Sequence, residues 1–302
     1  MAELFAYDQR EGYDMKTAVV TGTSTGIGLS TSLLLARKGW KVFAGMRNLK
    51  KADELRDAAE KEKVPVEIIE LDVTDDKSVD TAFAAVSKDG PIDVLVNNAG
   101  IGAASPLELV PDDEHRQLFE TNYFGVVRCI QRVMPQMREA KAGTIINISS
   151  IVGIMPTPNQ IPYSASKWAV EGLSYALAHE LKRFGVRVSM VEPGVIMTKI
   201  FDNSAEATRY DKTSPYKSLM RRNGKIYGAG FELNTPPEVV ANVIHEAITT
   251  KDYKLRWPAG PDAEAVFKRM NKFAPEDFVA LGADLSDQEY NDGFFEMIGM
   301  RL

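Results

Sequence analysis

Residues 17–28 read TAVVTGTSTGIG and pass directly into LSTSLLLARKG at 29–39. The first five residues are β-branched or small and predict a short strand, and the second run has the long apolar side chains of a helix. Between them stand Gly22, Gly26 and Gly28, with Ser24, Thr25 and Ile27 interleaved. Glycine permits a tight turn and a close backbone approach, and the first N–H groups of the helix have no partner inside it. A strand, a glycine turn and a helix start together make a cradle for an anionic diphosphate.

The rest of the chain repeats that alternation. Short apolar runs stand at KVFAG (41–45), VEIIEL (66–71), IDVLVN (92–97), GTIINIS (143–149), VRVSMVEP (186–193) and KLRWP (254–258). Helical patterns fall between them, at 49–61, 79–88, 113–139, 163–184 and 237–250. The strands are continuously apolar, as strands covered on both faces are. The expected fold class is therefore α/β, a doubly wound parallel β-sheet with helices on both faces, forming a single domain over residues 15–260. Residues 1–14 read as an N-terminal extension and 261–302 as a C-terminal extension. Residues 195–236 have no clean helical period but hold Ile196, Met197, Ile200, Phe201, Tyr210, Tyr216, Leu219, Met220, Tyr227 and Phe231. A segment of that length inside a compact domain is expected to serve a site, here as an apolar substrate lid.

A net charge of -6 excludes a strong positive field, so neither nucleic acid nor an anionic membrane surface is an expected partner. No apolar run reaches the roughly 18 residues that span a bilayer, and the first residues lack the pattern of a secretory leader. The expected location is the cytoplasm. Cys129 is the single cysteine and lies in an apolar stretch, which reads as a buried structural thiol. His115, His179 and His245 fall in helical patterns with no metal spacing between them.

The second strand ends in Met46-Arg47-Asn48, with Lys50 and Lys51 beyond. An acid at that point would bind a ribose hydroxyl, whereas a cation accommodates a 2′-phosphate, so Arg47 favours NADP over NAD. Tyr163 is followed four residues later by Lys167 in a helical pattern, which puts phenol and ammonium on one face. Bringing a phenol toward neutrality takes roughly 4 kcal/mol of phenolate stabilisation, an order of energy that a fixed ammonium in a dry cleft supplies. Ser150 ends the strand at 143–149 and can hydrogen-bond a substrate oxygen. In an open parallel sheet, Ser150, Asn97 to Gly100 and Pro193-Gly194 all fall at the carboxyl ends of strands, where ligands bind.

Taken together, these residues resemble the short-chain dehydrogenase/reductase family over roughly residues 15–260. Thr21 to Gly28 is similar to its TGxxxGxG turn, Asn97-Asn98-Ala99-Gly100 to its NNAG segment, Tyr163 to Lys167 to its YxxxK pair, and Pro193-Gly194 with Thr198 to its PGxxxT segment. The strings KVFAGMRN and RWPAGPDA are similar to its hydroxysteroid and retinol dehydrogenase branch. The resemblance implies a Rossmann fold and interconversion of a ketone or aldehyde with an alcohol, with Asn122, Ser150, Tyr163 and Lys167 as the catalytic set. Tyr163 would be the general acid/base, Lys167 would bind the nicotinamide ribose and lower the Tyr163 pKa, Ser150 would place the substrate, and Asn122 would support a proton-relay water. Asp72 would meet the adenine, Asn98 would stabilise the central strand end and bind the cofactor, Thr198 would hold the carboxamide, and Val73, Ala99, Gly100 and Ile196 would also bind the cofactor. It also implies a homodimer or homotetramer built on the helices near 113–139 and 163–184.

Two other classes compete. Gly22-Thr23-Ser24-Thr25-Gly26 also matches the G-x-S-x-G elbow of serine hydrolases, but it follows the first strand, and the only late histidine, His245, falls inside a helical pattern, so the triad has no evident third member. A dinucleotide-sensing regulator that has lost its chemistry is the other alternative, and the intact Asn122, Ser150, Tyr163 and Lys167 weigh against it.

Overall fold

In the computed structural model β1 (Thr17–Thr21) is buried along its length, and its side chains divide between two cores. Ala18 and Val20 enter one and Val19 the other, the period-two consequence of a strand covered on both faces. The structure describes residues 15–200 and 213–302. The expected N-terminal extension and the lid residues Phe201 and Tyr210 lie outside the described residues.

Around β1 are β2 (Lys41–Met46), β3 (Val66–Glu70), β4 (Val94–Asn97), β5 (Thr144–Ile148), β6 (Arg187–Pro193) and β7 (Arg256–Ala259). They form one parallel sheet in the order β3-β2-β1-β4-β5-β6-β7. The helices on one face include α3 (Asp76–Lys88), α5 (Gly125–Ala140) and α6 (Ile161–Lys182), which bring Phe83, Val133 and Leu181 against Val19, Phe43 and Ile145. On the opposite face α1 (Gly26–Arg37) and α8 (Pro237–Thr249) bring Leu35 and Ile244 against Ala18, Val42 and Val191. This is the doubly wound sheet that the alternating pattern predicts. Its strand order reverses between β1 and β4, and a crevice opens there at the carboxyl ends of the strands.

The remaining helices are α2 (Asp53–Glu62), α4 (Asp112–Phe119), α7 (Lys217–Glu232), α9 (Pro261–Arg269), α10 (Pro275–Ala280) and α11 (Asp287–Ile298). Three of them change the sequence reading. The pattern at 113–139 predicts one helix, but α4 and α5 are joined through a π-turn at Glu120–Phe124. The wider turn brings Asn122 inward, where it is buried. The pattern at 49–61 divides into a short turn, where the Asn48 side chain accepts from Lys50 N at 3.0 Å, and then α2. Within 195–236, α7 is a regular helix. Arg222 and Asn223 are buried on it alongside Met220, and these polar residues on the packed face hide the period.

The C-terminal extension adds a core of its own. Val266, Tyr290, Phe294, Met297 and Ile298 pack together, and Ile226 of α7 and Met155 pack against them. The carboxylate of Asp287 meets Arg221 of α7 at 2.6 Å, and the Arg222 guanidinium lies 4.5 Å from the centre of the Tyr290 ring. Cys129 is buried as expected, and burial pushes its thiol up to about 12. Among the described residues no helix is long and apolar enough to cross a membrane.

Candidate active site

The floor of the crevice is the glycine turn. Gly22 has φ +71°, and a Cβ there would meet Ala99 Cα at 2.7 Å, so the turn and the strand end opposite approach as closely as backbones allow. Asn98 fastens the two, donating from Nδ2 to the carbonyls of Thr21 at 2.9 Å and Gly22 at 3.0 Å. The Thr21 hydroxyl accepts from the backbone N–H groups of Asn98 and Ala99 at 3.0 and 2.9 Å. Thr25 precedes α1 without a side-chain cap, which leaves the opening N–H groups of that helix available to an anion. Gly28 does not line the cleft; a Cβ on it would lie 2.3 Å from Gly22 O, so it serves the packing of α1 against the turn.

A cleft of about 580 Å³ runs from this turn in two directions. Toward one end it is lined by Arg47, Lys51, Asp72 and Val73, and along its middle by Ser24, Thr25, Gly26, Ile27, Asn98, Ala99 and Gly100. The Asp72 carboxylate accepts from Thr74 N and Thr74 Oγ1 at 3.0 and 2.7 Å, which fixes that edge. Toward the other end the lining includes Ser150, Tyr163, Lys167, Pro193, Gly194, Ile196 and Thr198. A Cβ on Gly26 would reach Thr198 Cγ2 at 3.0 Å, so the segment after β6 closes against the glycine turn. The volume, the uncapped helix start and the glycine-to-strand approach fit a dinucleotide.

Tyr163 projects from the first turn of α6, and the hydroxyls of Tyr163 and Ser150 are hydrogen-bonded. Ser150 does not end β5, which stops at Ile148; it opens the turn that follows, accepting from Val152 N at 3.3 Å. Lys167 Nζ lies 5.7 Å from the centre of the Tyr163 ring and donates to the Ile148 carbonyl at 2.9 Å. Burial pushes the Tyr163 hydroxyl up to about 12, against the opposing pull of Ser150, and brings the Lys167 ammonium down to about 8, against the charge of Glu171. Of the side chains around the Tyr163 hydroxyl, Ser150 is the one that acts against burial.

Behind Lys167 lies a buried ionic group. Glu171, one turn along α6, places Oε2 2.7 Å from Arg256 Nη1, and the same nitrogen lies 3.5 Å from Glu192 Oε1. Burial and then the neighbouring Glu171 charge push Glu192 up to about 8. Asn122 is one step back from the cleft. Its Oδ1 accepts from Ile101 N at 2.9 Å, and its Nδ2 donates to Ile101 O at 2.9 Å and Ser166 Oγ at 3.1 Å. The carboxamide thus ties the segment after β4 to α6.

A family model described as short chain dehydrogenase matches residues 16–209. The chain belongs to the short-chain dehydrogenase family. A solved short-chain dehydrogenase from Streptomyces avermitilis is similar to it at 31% identity and a TM-score of 0.75, covering 90% of this chain and 100% of its own. The 3-ketodihydrosphingosine reductase of Bacteroides thetaiotaomicron is 34% identical over 86% of this chain and 94% of its own. Retinol dehydrogenase 8 of Homo sapiens is 38% identical over 61% of this chain and 60% of its own, a relative from the branch that KVFAGMRN and RWPAGPDA resemble.

In this short-chain dehydrogenase, several lining residues escape the sequence reading. Thr157, Gln160 and Ile226 border the Tyr163 end beside Tyr227. Asp262, from the C-terminal extension, accepts from Val195 N at 2.6 Å and so holds the segment after β6. Its only signal is the string RWPAGPDA, which says nothing of where it folds. Of the lid residues, Ile196, Ile200 and Tyr227 reach the cleft, Met220 is buried, and Met197 is exposed. No histidine lines the cleft with Ser24, which leaves the hydrolase alternative without a base.

Proposed function

We propose that this short-chain dehydrogenase interconverts a bulky hydrophobic ketone or aldehyde with its alcohol, using NADPH in preference to NADH. The observation that carries the reading is one continuous cleft, with Arg47 and Lys51 at one end and Ser150, Tyr163 and Lys167 at the other. Arg47 is exposed at the end of β2 and no acid stands at that strand end, so a 2′-phosphate finds a cation there. The dinucleotide, when bound, supplies or accepts hydride.

The protein's own residues manage the proton. With its hydroxyl near 12, Tyr163 is protonated across neutral pH and able to donate to a carbonyl oxygen as it gains charge. Ser150 donates a hydrogen bond to that oxygen, and the Lys167 ammonium stabilises the phenolate left behind. In the oxidising direction the same groups return the proton. Ile151, Val152, Ile196, Ile200 and Ile226 give the far end an apolar lining, suited to a large hydrocarbon group and to exclusion of water. Relatives named for retinol and 3-ketodihydrosphingosine, both large and mostly hydrocarbon, support that substrate size.

The test is oxidation of NADPH and NADH, followed by absorbance, over ketones graded from small keto esters to steroids. The reading expects NADPH to be the better donor and rates to rise with apolar bulk. No turnover with any ketone in either direction would leave the cleft a sensor, not a catalyst.

A further inference from the structure

The cleft contains an amide whose hydrogen bonds are half assigned by the protein. Gln160 stands just before α6, three residues from Tyr163, and is 6% exposed. Its backbone is held on both sides, by a bridge to Ser105 and by its carbonyl, which accepts from Ser164 N at 2.8 Å. Its side-chain oxygen receives two hydroxyls, Thr157 Oγ1 at 2.6 Å and Tyr227 Oη at 2.5 Å. A carboxamide oxygen has two lone pairs, and both are taken.

What remains of the group is donation. Nε2 carries two N–H bonds, and among the described residues no protein acceptor meets them. Gln160, Thr157, Tyr227 and Tyr163 all border the same cavity. A donor that faces a cavity without a protein partner is left unpaired by a ligand that covers it with carbon, and is paired by one that places an acceptor against it. Residues three apart at a helix start share a face, so the Gln160 amide and the Tyr163 phenol address neighbouring parts of one molecule.

We propose that Gln160 is a specificity-determining residue: its Nε2 donates to a second acceptor oxygen of the substrate, a few bonds from the reacting carbonyl, so the preferred ketones carry an ether, ester or carbonyl oxygen there. The inference rests on the oxidoreductase reading of the same cleft and narrows its substrate class. Tyr227 and Thr157 are positioning residues, since they fix which edge of the amide faces the cavity. Tyr227 is carried by α7, which the C-terminal extension holds through Asp287 and Tyr290.

The experiment compares kcat/KM for an alkyl ketone and for its isostere, in which an ether oxygen replaces one chain methylene a few bonds from the carbonyl. An ether oxygen only accepts, so it reports a donor in the cavity. The wild-type ratio is expected to favour the ether about three- to ten-fold, the worth of one hydrogen bond. Gln160→Met should bring the ratio to parity or below. Gln160→Glu keeps the shape and the two hydroxyl contacts but presents only an acceptor, and should invert the ratio. Tyr227→Phe should narrow it through a higher KM for the ether. Intrinsic carbonyl reactivity cancels when ratios are compared between variants. A wild-type ratio at or below one overturns the proposal, as does a ratio that stays the same in both Gln160 variants. If wild type oxidises NADPH with neither ketone, the oxidoreductase reading itself fails; turnover of both ketones without preference removes only the role given to Gln160.

Discussion

Lys167 lines the cleft and changes protonation near pH 8, whereas Glu192, pushed up to about 8 as well, does not line it. Burial holds its ammonium near 8, and Glu171 one turn away resists that depression. Because the ammonium is the form that stabilises a phenolate, ketone reduction should be level below about pH 8 and decline above it. The acids and bases around Glu171 are Lys167 on its own helix, Arg256 from β7 and Glu192 from β6, with the Ser149 hydroxyl after β5. Glu171→Gln removes the charge that supports the ammonium, so the alkaline limb of the pH–rate profile should move to lower pH. A limb that does not move would show that Glu171 has no electrical hold on Lys167. At the other end of the cleft, Arg47→Glu should weaken NADPH binding by about ten-fold or more, the worth of a charge-assisted hydrogen bond, and favour NADH. Titration of both cofactors by nucleotide fluorescence gives the two dissociation constants.

The junction of β1, α1 and β4 carries the geometry of the cofactor half. Adding a methyl group at Gly28 would bring it to 2.3 Å from Gly22 O and 2.5 Å from Asn98 Nδ2. Gly28→Ala should therefore push α1 away from the turn, at a cost of about 1–3 kcal/mol, seen as a lower midpoint in denaturant and weaker dinucleotide binding. This part of the fold was legible in TAVVTGTSTGIG because strand, glycine and helix signals are local and agree with one another. The pair Tyr163 and Lys167 was legible for the same reason, as spacing on one helix. The π-turn at Asn122 was not, since ETNYF contains no breaker and the extra residue is accommodated by long-range bonds to Ile101 and Ser166. Gln160 and Asp262 stayed hidden because each meets a partner 67 residues away in sequence, Tyr227 for the first and Val195 for the second. No local pattern encodes such a meeting.

Sheet, α7 and C-terminal extension divide the work of the molecule. The turn after β5 and the helix α6 packed on the sheet carry the proton-handling residues Ser150, Tyr163 and Lys167, whereas Ile226 and Tyr227 reach the cleft from α7, which leans on the core formed by Tyr290, Phe294 and Ile298. Asp287→Ala removes the ion pairs that hold Arg221, Arg222 and Lys225 of α7, of which the exposed ones are worth at most about 1 kcal/mol each. It should raise KM for bulky ketones about two- to five-fold while the dissociation constant for NADPH stays the same, because α7 and the glycine turn lie at different parts of the cleft. Steady-state kinetics beside a cofactor titration separates the two. The central claim is that the Tyr163 hydroxyl supplies the proton that accompanies hydride transfer in a cleft that binds a dinucleotide. Its most direct test is Tyr163→Phe, in which NADPH affinity and ketone turnover are measured on the same preparation. The account predicts unchanged NADPH affinity with turnover lowered by about 10²- to 10⁴-fold, the usual worth of a general acid. Turnover equal to that of wild type would contradict it.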